Sequence, residues 1–389
     1  MEFQNKRIPD KISKIGWILS IAGILIYALN FILNKERAAF DYLWLYMYLV
    51  SIGLGGLLLI AMEYLVGATW SVPFRRICEF LTGLIPLVVV LIIPLIFSMH
   101  TLFEWTHPDI VAADEVLKAK SGYLNINFFL IRSAFCLIVW MLFSFAFNKN
   151  SRKQDETKDG KLTRSNIKLS VVFAPLFFIT LTVFAIDWMM SLEPHWYSTI
   201  YGIYFFAGTI VAGLALVTFI SILYYEKGYF PARIKNEHFY SLGTLLFGFI
   251  IFWAYIGFSQ FVLIWYADIP EETFWYMQRW TGSWKFVSLA LLFVHFVIPF
   301  LVLLPRKIKT NIKVLKVMSV WMLFAHALDL YWLIMPTYKK TGAPFSWNEL
   351  AFFLAAAGII MIVYKMRADK SNLIPVGDPK LEAGLDFHL

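Results

Sequence analysis

Charge is what this sequence has least of. Asp, Glu, Lys and Arg make up 15% of its 389 residues, against 60% apolar and 18% aromatic residues. Soluble globular chains carry about 25% charged residues, so an ordinary soluble globule is excluded. Cysteine is nearly absent: Cys78 and Cys136 are the two that occur. That excludes a cysteine-held iron–sulfur cluster, a C-x-x-C-H haem attachment and a zinc pattern, and no metal site is expected. No P-loop, G-x-G-x-x-G or G-x-S-x-G stands in a credible context, so nothing points to nucleotide hydrolysis or acyl transfer. An electron carrier would be bound non-covalently or belong to a partner.

What the chain has instead is long apolar runs. A membrane-spanning helix needs about 20 apolar residues. Ten segments meet or approach that length, roughly 15–33, 42–68, 80–103, 125–147, 169–190, 196–225, 240–266, 281–304, 317–335 and 347–364. The first is too long for a signal peptide and lacks a small-residue cleavage site. Backbone polar groups in hydrocarbon must be satisfied within the segment, so these runs are helices. The fold expected is an all-α polytopic integral membrane protein with ten transmembrane helices over 15–364. Residues 1–14 form its N-terminus and 365–389 its tail. The polar 148–168 loop and the tail read as solvated connectors.

Charge sidedness orients the spans. Of 34 Lys and Arg, 25 fall on the side of the N-terminus. They include Lys6, Arg7, Lys11 and Lys14, the pair Arg75 and Arg76, seven in 148–168, and four in the tail. Seven fall on the opposite side, and Arg132 and Lys285 lie within spans. The bias predicts ten spans with both termini cytoplasmic. The net charge of +8 reports that topology and contact with anionic lipid, not nucleic acid.

Against this background the stretch FAIDWMMSLEPHWYSTIYGIYFFAG stands out, with Asp187, Glu193 and His195 within nine positions. At 1.5 Å per residue Asp187 lies about 27 Å along the fifth span, near the outer surface. Other spans reach the same level. FSMHTLFEWTHPD brings His100 and Glu104, spaced i and i+4 for one helical face. Arg132 lies two turns into the fourth span, Gln260 is near the end of the seventh, and Lys285 is about a turn into the eighth. Acids, bases and aromatics gathered at one depth suit a quinol headgroup, which loses protons as it loses electrons. A deeper set comprises His326 and Asp329, i and i+3 on the ninth span, with Glu63 and His295; it marks an inner proton path. Structural readings stand beside these. Asp187 pairs with Arg132 or Lys285, Glu193, His195 and Glu104 sit in interfacial water, and His326 and Asp329 make a packing hydrogen bond. Haem b between His295 and His326 is a further option, although two haems would need four histidines.

IDWMMSLEPHWYSTIYGIYFFAG and FSQFVLIWYADIPEETFWY resemble the integral membrane subunits of alternative complex III, a bacterial quinol:cytochrome c oxidoreductase. These subunits have the NrfD or polysulfide-reductase-C type of anchor. The length and ten-span plan are similar to the shorter of the two such subunits. The resemblance implies two four-helix bundles, spans 2–5 and 6–9, with spans 1 and 10 outside them. It also implies a place in the bacterial inner membrane and partners: a longer sister subunit, an iron–sulfur (molybdopterin-enzyme-like) subunit, cytochrome c subunits and an associated terminal oxidase. Haem and iron–sulfur clusters then sit in the partners, while this chain has no covalent cofactor. Either it binds a quinone or menaquinone outside, or it conducts protons while the sister oxidises quinol. The alternative of another class is a stand-alone secondary transporter, which would bind substrate at the midplane on broken helices.

Overall fold

The computed structural model describes residues 7–388, so Lys6 of the N-terminal cation set lies outside them. Among the described residues every regular element is helical. Ten helices are long and apolar enough to cross a membrane. They are α1 (Asp10–Leu33), α2 (Lys35–Val66), α3 (Val72–Phe97), α4 (Ile126–Thr157), α5 (Gly160–Leu192), α6 (Tyr201–Glu226), α7 (Asn236–Ala267), α8 (Trp284–Leu303), α9 (Ile312–Tyr338) and α10 (Asn348–Ala368). The chain is an all-α, multi-pass membrane protein.

Local chemistry sets the breaks. A single residue, Asn34, separates α1 from α2, and its side chain accepts the Arg37 backbone N–H as an N-cap. Turns at Thr82–Gly83 and near Pro94 interrupt α3. The 148–168 stretch is not a solvated connector. Its polar residues extend α4 and α5 beyond their apolar runs. The hairpin between them turns on Lys158, at φ 55°, and on Asp159, which caps α5 by accepting the Lys161 N–H. Asn148, Ser151, Gln154 and Asn166 are buried there.

The helices form the two expected bundles. In the first, α2 packs on α3 and α5, and α4 packs on α5 and the middle of α3. In the second, α6 packs on α7 and α9, and both of these touch α8. The two join through α2 and α6, the most buried spans. Their backbones meet at Gly55 and Gly213, where a Cβ on Gly55 would stand 2.9 Å from the Gly213 Cα. Outside both, α1 and α10 pack along each other, and α10 closes against α2 and α3. Large apolar side chains such as Ile18, Leu25, Phe258 and Leu301 point outwards, as lipid-facing surface does.

Both ends of the described residues lie at one end of the bundle, called here the termini face, where Lys365 Nζ is 2.9 Å from Asp10 Oδ1. The tail is not solvated either. Leu373, Ile374, Asp378, Leu381 and Leu385 are buried against this face.

Candidate functional site

The expected residues fall into three separate groups. The first is at the termini face. Glu63 accepts from Ser71 Oγ (2.9 Å) and Arg75 NH1 (2.7 Å), and Arg75 NH2 donates to Asp378 Oδ2 of the tail (2.5 Å). Arg76 beside it binds Glu79 and Asp155, each at 2.5 Å. Two buried arginines at the start of α3 thus receive carboxylates from α2, α3 itself, α4 and the tail. Glu63 belongs to this lock and has no contact with His326 or Asp329, so the expected inner path does not run through it. An apolar cleft of about 330 Å³ between α2, α6 and α7 ends at Glu63, Ser71 and Arg75.

The second group, at the opposite face, does not share one pocket. Asp187 is wholly buried and pairs bidentately with Arg132, at 2.8 Å from Nε and 3.0 Å from NH2. The guanidinium also lies 3.7 Å from the Tyr123 ring centre. Gln260 accepts from Ser198 Oγ (2.9 Å) and donates to the Tyr276 hydroxyl (3.1 Å). Glu193 accepts from Gln278 Nε2 (3.4 Å) and stands 4.0 Å from Lys340 Nζ. His195 is exposed, 2.7 Å from Asp114 Oδ2. Asp114 also caps a short helix, and the Leu117 N–H and His195 hold its carboxyl below the usual range. His100 and Glu104 do not share a helical face. The helix Met99–Leu102 stops at Phe103, which is extended (φ −124°, ψ 115°), and both residues are exposed. The carbonyl of His100 accepts from His107 Nε2 (2.8 Å). Lys285 points outwards, its ammonium 5.1 Å from the Phe286 ring. The cleft nearest this group, about 260 Å³, is lined by Lys120, Tyr123, Ile186, Met190, Pro194 and Trp196 among others, and by none of the expected residues. A second buried cation at this face is Arg279. It lies 3.3 Å from the Trp275 ring centre and donates to the carbonyls of Trp275, Trp332 and Leu333.

The third group is a true cluster at mid-length of the spans. Asp329 on α9 accepts from the Tyr204 hydroxyl of α6 (2.5 Å) and from Trp253 Nε1 of α7 (3.1 Å). Trp253 stacks on His295 of α8 with ring centres 3.7 Å apart. His295 occupies a π-helical turn, Leu292–Val297, and π-turns recur at functional sites. Trp321 Nε1 donates to the Val294 carbonyl within that turn (2.7 Å). His326 Nε2 is 2.8 Å from Ser51 Oγ of α2, and the Ser51 hydroxyl itself donates to the Tyr48 carbonyl (2.8 Å). Ser51 therefore acts as acceptor towards His326. That assigns the proton to Nε2 and leaves a bare lone pair on Nδ1. Neither that nitrogen nor either ring nitrogen of His295 has a hydrogen-bond partner among the described residues.

One ligand atom from each of His295, His326 and Asp329 lies within 4.8 Å of the others, and all three residues are buried. Such a spacing could hold a small cation, which motif reading based on cysteine missed. Sequence reasoning put His326, Asp329 and His295 in one deeper set, together with Glu63, which lies elsewhere. Tyr204, Trp253 and Ser51 were missed. Tyr204 stands inside the motif quoted above, but an aromatic-rich stretch gives no sign of which ring turns inward. No family model matches this chain, and no curated protein matches it.

Proposed function

We propose that the chain is a membrane subunit of a respiratory quinol:acceptor oxidoreductase of the alternative complex III kind, and that its own task is proton movement. One observation carries the second part: the carboxyl of Asp329 is buried at mid-span, held by two neutral donors, and ion-paired with no Lys or Arg among the described residues. Unpaired ionisable groups at this depth are costly and are characteristic of proton relays. A carboxylate facing the His326 Nδ1 lone pair needs a proton between or upon them. Tyr204 extends the chain of exchangeable protons from Asp329 towards the opposite face. Ser51 extends it from His326 along α2. Quinol oxidation by the sister subunit supplies protons at the opposite face, taken as the periplasmic side. The iron–sulfur and cytochrome c partners dock there, and both termini lie in the cytoplasm.

The resemblance of the two quoted motifs and the two-bundle plan support the first part. The scattering of the opposite-face residues favours the proton role over a quinone pocket of this chain's own. Asp329→Asn is expected to slow proton transfer through this chain by about 100-fold, the lower end for a general acid–base group, so that a complex reconstituted into vesicles releases only the protons that quinol oxidation itself supplies. Haem-bearing partners should still co-purify with it. Full proton yield from that assembled variant removes Asp329 from the mechanism. The transporter reading gains from the mid-span position of the cluster and from the π-turn of α8. Purification separates the two: a transporter leaves detergent columns colourless and alone.

A further inference from the structure

We infer that the His295–His326–Asp329 cluster binds one divalent transition-metal cation of the zinc class. The inference deepens the reading of this cluster as the working centre of the chain, because metal and proton compete for the same lone pairs.

The first argument is electronic. The Ser51 contacts leave His326 Nδ1 as an unprotonated nitrogen with nothing to accept from. Nearby is a carboxylate whose two donors, Tyr204 and Trp253, use only part of its acceptor capacity. His295 adds two more ring nitrogens without partners, in a residue with no exposed surface. Leaving a buried polar group unmatched is costly. Here one nitrogen of each histidine and a carboxyl oxygen lie within 4.8 Å of one another. A positive centre is the species that satisfies them together.

The second argument is spatial. A Cβ on Gly208 of α6 would stand 3.1 Å from His326 Nδ1 and 3.3 Å from Asp329 Oδ2. The bare glycine backbone thus leaves open a position flanked by the two prospective ligand atoms. Ligand atoms within 4.8 Å of one another need draw in only slightly to reach a common ion at about 2.0–2.2 Å from each. Small rotations about the side-chain torsions supply that.

The third argument is chemical selectivity. Two imidazoles and one carboxylate suit zinc, cobalt or iron, whereas calcium and magnesium prefer all-oxygen sites. The second shell is built as well. Ser51 fixes the His326 tautomer, and Tyr204 and Trp253 orient the carboxyl, as outer partners do at metal centres.

The test uses CoCl₂ with the detergent-purified complex, read as the difference spectrum with and without Co²⁺ so that the partners' haem absorption cancels, and by metal analysis after desalting; Co²⁺ in a tetrahedral nitrogen–oxygen site gives a distinctive visible ligand-field band. Expected are one Co²⁺ per chain, displacement of the band by Zn²⁺, and a higher thermal midpoint with metal. His326→Gln abolishes the band. Gly208→Ala keeps all three ligands but fills the space beside them, and weakens binding at least about tenfold. Absence of the band in the wild type, or its survival in both variants, overturns the inference. The relay is judged separately. Asp329→Asn losing proton release while the wild type takes up no Co²⁺ sinks the metal alone. Co²⁺ binding in the wild type with full proton release in Asp329→Asn sinks the relay alone.

Discussion

Arg132 and Asp187 show how a charge can be kept inside a membrane without chemistry. Each offers the other its full hydrogen-bonding edge, and the rings of Tyr123 and Phe128 cover the guanidinium at 3.7 and 4.3 Å. Replacing both members of a buried pair by apolar residues is often neutral, whereas removing one strands the other at a cost of about 3–5 kcal/mol. Arg132→Met is therefore expected to lower the unfolding midpoint in detergent strongly, and Arg132→Met with Asp187→Leu to recover most of the loss. Equal losses in single and double variants would leave the pair without a stabilising role. Sequence alone placed Arg132 and Asp187 at one depth, because helical rise converts residue number into height. It did not say which acid meets which base, since that depends on helix rotation. His100 and Glu104 failed for a related reason: i,i+4 spacing pairs residues only while the helix lasts, and it ends before Phe103. Arg279 was hidden because a cation between spans ordinarily faces water, and only packing reveals that three carbonyls and two indoles enclose this one.

Polar composition makes the tail read as solvated, yet its charge is complementary to a buried surface. Arg75 and Arg76, in the first turns of α3, have almost no exposure. The Asp378 carboxylate reaches Arg75, and Asp155 on the extended α4 reaches Arg76. Asp155 in turn accepts from Asn372 Nδ2 and the Gly377 N–H, which ties the tail to the α4–α5 hairpin. Truncation after Lys370 should leave Arg75 with an unmatched donor and strip the cover from the hairpin. The loss expected is about 2–4 kcal/mol, within the range for breaking one member of a buried ionic network. Limited proteolysis of vesicles at the termini face, together with the thermal midpoint, checks this. A truncated chain as resistant and as stable as the full one would make the tail an ornament. The π-turn of α8 belongs to the same class of hidden feature. The apolar run around His295 reads as ordinary helix, and one surplus residue in a turn leaves no mark in hydropathy.

Ten spans were legible because length and apolarity decide membrane crossing, and every expected segment overlaps a helix. Their grouping into bundles was not readable from periodicity. A helix bathed in lipid on one side and buried on the other is apolar all round, so no stripe marks its packing face. The grouping came from resemblance, and its physical cause is close approach of small residues. At the joint between bundles a Cβ on Gly55 would meet the Thr209 carbonyl at 2.8 Å, and one on Gly213 would meet the Gly55 backbone at 2.9 Å. In lipid, such backbone proximity replaces the hydrophobic drive that joins helices in water. Gly213→Leu should force α2 and α6 apart and drag Ser51 away from His326, which sit on opposite sides of this joint on α2 and α9. Overpacking of this kind costs about 1–3 kcal/mol, or more where backbone cannot yield, and here both neighbours are backbone. The variant is expected to show a lower thermal midpoint and to lose proton release, while Gly248→Leu, where a Cβ meets nothing within 4 Å, changes neither. If Gly213→Leu matches the wild type in both measurements, the two bundles are not held together at this contact, and the alignment of α2 with α9 that the relay requires has some other origin.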